Sequence, residues 1–193
     1  MTGQDQFGSY DDAGAVVAVD LVNELTIEHA FGRPVTPTEP LWAIKRVLEI
    51  DPASAAALRQ RDAPGFVALA RQLRQGFMSL HHGDVDAAAD RLNELLAAHP
   101  AHPHLEKDDG CWRVHHHPVD AGLVPMATAV SAEAMARMIG AGVGHRLGTC
   151  DSDDCDRVFL DVSKNGSRRF CSTTCQNRVK AAAFRRRHAT SDV

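Results

Sequence analysis

Apolar residues return every three or four positions along most of this chain, the period of a helix with one buried face, so a mainly helical fold is expected. From Ala13 to about Phe31, Val17, Leu21 and Leu25, with Val22 and Ile27 alongside, suit such a helix, although Val16, Val17 and Val19 could open the segment as a strand. Gly32-Arg33-Pro34 should stop it, and residues 35–40 read as a Pro-rich connector. Leu41, Ile44 and Leu48 mark the next helical face, flanked by Trp42 and Val47, before Asp51-Pro52 caps and starts a short helix. Pro64 opens a stronger helix with Phe66, Leu69, Leu73, Phe77 and Leu80 inward, and Gly83 ends it. Asp84 then caps a helix that turns Val85, Ala88, Leu92, Leu95 and Leu96 to the core.

Between His99 and Pro118 the helical period breaks. His104-Leu105-Glu106 and Cys111 to His117, separated by Lys107-Asp108-Asp109-Gly110, predict a hairpin, since Asp-Gly favours a tight turn. Met126, Val130, Ala134 and Met138 restore the helical period from about Leu123 to Ile139, and Gly140, Gly142 and Gly144 then loosen the chain. A boundary near 141–148 divides a helical domain, 1–143, from a smaller C-terminal one, 144–193, and the polar, Gly-rich residues 1–12 read as a loose end.

The smaller domain carries the candidate chemistry. Cys150 and Cys155 form one pair and Cys171 and Cys175 another, a spacing that lets four thiolates close a tetrahedron around one Zn²⁺. With sulfur at every position such a site is structural, without an open place for substrate. Val158-Phe159-Leu160 reads as a strand, Lys164-Asn165-Gly166-Ser167 as a turn and Arg169-Phe170 as the returning strand; Ser172 or Thr173 then caps a helix reaching about Arg187. Knuckle, hairpin and helix in this order make a treble-clef-like finger, so the expected fold class is mostly α with small β-hairpins. Cys111, far from the others, is expected to be a lone thiol.

The run C-x4-C, F-L-D-V-S, then S-R-R-F-C-S-T-T-C-Q-N-R-V-K and a basic helix end resembles the CGNR zinc finger, with Gln176 standing where that family usually carries Gly. Val19-Asp20-Leu21-Val22-Asn23 is similar to the start of the ABATE domain that precedes this finger in the family. The resemblance implies a stress-linked transcription regulator whose finger contacts nucleic acid.

Charge changes the picture by its distribution. Residues 1–149 hold 12 Lys/Arg against 19 Asp/Glu, a net of −7, while 150–193 hold 9 against 6, a net of +3; within 164–188 there are eight basic residues and no acidic one. A basic end on an acidic body points to an anionic partner. A Zn(Cys)₄ centre is itself formally −2, so Arg168 and Arg169 are expected to offset it in part, unless Arg169 pairs with Asp161. At 100° per residue, Val179, Ala182 and Ala183 share the zinc-facing side of the last helix. Asn177 and Phe184 point outward, bordered by Arg178 with Arg185 and by Lys180 with Arg187. An outward Asn can pair with adenine while Arg168, Arg178, Lys180, Arg185, Arg186 and Arg187 hold phosphates, so DNA is the expected partner and RNA its alternative. One small module buries only about 600–1,000 Å² on DNA, which favours a homodimer or a second contact.

If Phe184 instead docks on the helical body, Asn177 is hidden and the finger is a protein-interaction or structural module that does not bind nucleic acid. The histidines at 99, 102, 104, 115, 116 and 117 could bind a second metal or a small ligand sensed by the N-terminal domain, or be ordinary exposed hairpin residues. No Gly-rich phosphate loop, G-x-S-x-G, H-E-x-x-H or defensible carboxylate pair is present, so no enzyme is expected. No apolar run approaches the roughly 20 residues that span a bilayer, and no signal peptide precedes the first helix, so a cytoplasmic protein is expected.

Overall fold

The computed structural model describes residues 13–108, 110–118 and 120–189, and the expected loose end at 1–12 lies outside them. The first helix, α1 (Ala13–Leu25), resolves the strand alternative in favour of helix. Its buried side holds the expected Leu21 and Val22 together with Gly14, Ala15, Ala18 and Asn23, while Val17 and Leu25 are only partly buried against the core. The reason lies in its neighbour, α6 (Leu123–Gly140), which also presents small residues, among them Ala127, Ser131 and Ala134. The two backbones come so close that a Cβ on Gly14 would sit 2.6 Å from the Val130 carbonyl oxygen. Small residues fill the closest part of that seam, and Val16 is left exposed.

The helix ends at Leu25, earlier than the expected stop. A hairpin of two-residue strands, β1 (His29–Ala30) and β2 (Arg33–Pro34), follows, turning through Phe31 and Gly32, both with positive φ. Next come α2 (Pro40–Val47), with Glu39 accepting from the Trp42 N–H, and α3 (Pro52–Ala57), capped by Asp51 as expected. The long α4 (Ala63–His81) buries all five of its predicted apolar positions at the centre of the core, and α5 (Val85–Ala98) packs along it through Ala88, Leu92 and Leu95. Val85 is exposed, at the helix start where the chain faces solvent. The hairpin of β3 (His104–Asp108) and β4 (Cys111–His115) pairs His104 with His115 and Leu105 with Val114, and leads into α6.

After α6 the glycines do not leave a slack linker. A 3₁₀ turn, Gly144–Arg146, runs straight into β5 (Leu147–Thr149), which pairs antiparallel with β6 (Val158–Leu160) before the last helix, α7 (Thr173–Ala189). Leu147 and Val158, each 1% exposed, belong to the same apolar core as α1, α4, α5 and α6. The fold is mostly helical with small antiparallel sheets, and the cysteine-bearing hairpin is rooted in the helical core.

Candidate metal centre and nucleic-acid interface

The finger assembles from local chemistry. Cys150 follows β5, and the knuckle turns through Asp154 in the left-handed region (φ 53°) to reach Cys155. Cys171 precedes α7, and Ser172 is its cap: the Ser172 hydroxyl oxygen accepts the Cys175 N–H at 3.3 Å, holding Cys175 in the first turn. The Cys171 N–H points at the Cys150 sulfur, 3.4 Å away.

The Sγ atoms of Cys155, Cys171 and Cys175 form a triangle with every edge 3.7 Å, and all four sulfurs lie within 4.8 Å of one another. Bonds of about 2.3 Å from zinc to sulfur generate a tetrahedron with edges of about 3.8 Å, so the donor set fits Zn²⁺; a disulfide would need about 2.05 Å. Sulfurs this close cannot all ionise unaided. The side-chain hydrogen bond with Cys171 helps draw Cys150 down to about 5, the same contact pushes the Cys171 thiol up, and burial raises Cys155. A dication resolves the conflict by stabilising every thiolate at once. The fold brings together the four cysteines whose spacing suggests a metal, in a cluster that fits Zn²⁺.

The hairpin differs from the expected one. The partner of Val158–Leu160 is Leu147–Thr149, on the other side of the knuckle, and Arg169-Phe170 forms no strand. Side chains close the intervening loop instead. The Asp161 carboxylate, 1% exposed, accepts the N–H groups of Ser163 (2.8 Å) and Arg168 (2.7 Å), while Arg146 donates to the carbonyls of Asp161 (2.9 Å) and Ser163 (2.7 Å). Burial acts to raise this carboxyl, but donors from Ser163 and Arg168 and the charge of Arg146 outweigh it and leave it below the usual carboxylate range. With Asp161 so occupied, Arg169 pairs with Asp151 (2.7 Å) and not with Asp161.

The predicted nucleic-acid contacts fall into two groups. Arg168 donates to the carbonyls of Phe170 (2.7 Å) and Cys171 and lies over the Phe159 ring. Arg178 is half-buried, donating to the Ser152 hydroxyl (3.0 Å) and the Asp153 carbonyl (3.1 Å). Its guanidinium occupies the space where Gly32 would carry a side chain, locking α7 onto the β1–β2 turn. Both guanidinium groups are engaged by backbone or hydroxyl groups of the finger, Arg178 half-buried and Arg168 at the exposed surface. Asn177, Lys180, Arg185, Arg186 and Arg187 are exposed along α7, and Val179, Ala182 and Ala183 are half-buried on the opposite side. Phe184 is 56% exposed with its ring against His188, so it does not dock on the body.

Several residues that carry the finger are not among those the sequence pattern singles out. The Asn23 amide, 4% exposed, pairs with Val158 at two points: Nδ2 donates to its carbonyl (3.0 Å) and Oδ1 accepts its N–H (2.9 Å). Asp156 accepts the N–H groups of Glu28 (3.0 Å) and His29 (2.7 Å), and Arg74 donates to its carbonyl (2.9 Å). The Gly32 N–H reaches the Asp154 carbonyl at 3.0 Å. The one signal along the chain is an amide set among the core residues of α1; Asp156 and Arg74 have none.

Two family models match the chain. The ABATE domain, described as "Putative stress-induced transcription regulator", covers residues 15–142, and the CGNR zinc finger covers residues 146–188. No curated protein matches. Among the described residues, no helix is long and apolar enough to cross a membrane.

Proposed function

Because this chain belongs to the ABATE family and continues into a CGNR zinc finger, we propose that it is a transcription regulator that binds DNA through the outward face of α7. One observation carries the reading: Asn177, Lys180 and Arg185 to Arg187 stand exposed on one helix, on a segment with no acidic residue between 164 and 188, while Phe184 leaves that face uncovered. A rigid helix with a central amide and flanking cations suits a major groove, the amide reading a base edge and the cations resting on phosphates. Arg168 and Arg178 support this surface by holding backbone and hydroxyl groups of the finger. In this reading the chain divides functionally at 143/144, the helical part senses a ligand or pairs with a second copy, and the finger delivers the output.

Binding of the full-length protein to duplex DNA, titrated against salt, tests the proposal. Four phosphate contacts predict a slope of about −3.6 in log affinity against log salt. Binding that is absent at low salt removes the reading and leaves a zinc-stabilised protein-interaction module, which the exposed Phe184 would serve.

A further inference from the structure

The β3–β4 hairpin brings together three imidazoles that the zinc finger does not use. His104 and His115 face each other across the ladder, and His117 lies two residues beyond His115. Their ring centroids form a nearly equilateral triangle of 5.6, 5.5 and 5.4 Å. With Zn–N bonds of about 2.0–2.1 Å and ring centres roughly 1.1 Å behind the nitrogens, tetrahedral coordination by three histidines puts the centroids about 5.2 Å apart.

Two of the rings are already held in the tautomer a metal needs. His104 Nδ1 faces the His102 carbonyl at 3.1 Å and His117 Nδ1 faces the Pro118 carbonyl at 2.9 Å, so each carries its proton there and leaves Nε2 as a lone pair. His104 Nε2 is buried and has no hydrogen-bond partner. The Glu106 carboxylate, on the same face of β3, lies 3.6 Å from it.

We propose that His104, His115 and His117 bind a second first-row divalent cation such as Zn²⁺, with Glu106 the carboxylate placed to complete the shell. Among the described residues only the four cysteines already bring their ligand atoms within 4.8 Å of one another, so the imidazoles pivot about their side-chain bonds to aim Nε2 inward. Imidazole and carboxylate together suit zinc or cobalt better than calcium or magnesium, which take oxygen donors. The site lies in the helical part of the chain and stands or falls separately from DNA binding.

Zn²⁺ added to the full-length protein, followed by calorimetry and elemental analysis after removal of excess metal, tests it. Two equivalents per chain are expected, falling to one in His104→Ala/His115→Ala, with second-site affinity at least about 100-fold weaker. His82→Ala/His99→Ala should retain two. A single equivalent in the parent protein, or two in the first variant, overturns the inference. Co²⁺ added to the parent protein carrying a single equivalent of Zn²⁺ gives a reading that needs no variant: visible bands without thiolate charge transfer support nitrogen and oxygen ligation. Strong charge transfer would mean that cysteine sulfur takes the metal, and would also overturn it.

Discussion

The two sides of the zinc finger make different use of the same residue types. On the inner side, polar and charged groups are consumed: Asn23, Arg74 and Asp156 end on backbone groups and Arg178 on the Ser152 hydroxyl and the Asp153 carbonyl, joining the finger to α1, α4 and the β1–β2 turn. Along α7, Asn177, Lys180 and the arginine cluster are exposed, with Asn177, Lys180, Arg185 and Arg187 toward its outer side. An arginine in a basic run is therefore not by itself a nucleic-acid contact. What decides is whether the fold buries it among carbonyls.

Removing the metal should break the contrast altogether. Cys175→Ser, or a strong chelator, withdraws on the order of 10 kcal/mol of structural zinc binding. Zinc content should fall to zero at the cysteine site and α7 should lose its anchor. Because Leu147 and Val158 sit in the shared core, the melting temperature of the helical part should fall too. A body whose melting is untouched would mean that the finger is only appended to it.

Asn23→Leu attacks the inner side alone. It strands the buried N–H and carbonyl of Val158, and each such group costs about 1–3 kcal/mol, so chemical denaturation should register a loss of roughly 2–5 kcal/mol with zinc retained. A near-neutral result would show that water reaches this joint. Gly32→Ala should cost less, about 1–2 kcal/mol, through the positive φ and the displaced Arg178 guanidinium. Limited proteolysis should then find the start of α7 more readily cut.

The outer side should behave in the opposite way. Replacing Arg185, Arg186 and Arg187 together by Ala should change stability by no more than about 0.5 kcal/mol, as at other exposed positions. If each meets a phosphate, the salt slope of DNA binding should become shallower by about 2.7. Loss of stability without change in slope would move these arginines to the inner class.

Much of the molecule is legible in its sequence. The five inward residues of α4, the caps at Asp51 and Asp84, the β3–β4 hairpin and the clustering of four cysteines follow from periodicity and spacing within a few turns of chain. The departures from expectation share a cause. Gly14, Ala15 and Ala18 join the buried face of α1 because α6 packs closely there, and the returning strand at Arg169-Phe170 gives way to Asp161 and Arg146 closing the loop with side chains. Each depends on a partner that the local pattern does not contain.

By itself the sequence determined that the chain is mainly helical and that its C-terminal segment carries four cysteines at a metal-binding spacing, because helical period and ligand spacing act over short stretches. Only the tertiary structure decided that the finger is rooted in the helical core and which of its cations face outward. Asn23 and Val158 are 135 residues apart, and their pairing, like the capture of Arg178 by Ser152 and Asp153, exists only where folding removes water from both partners at once.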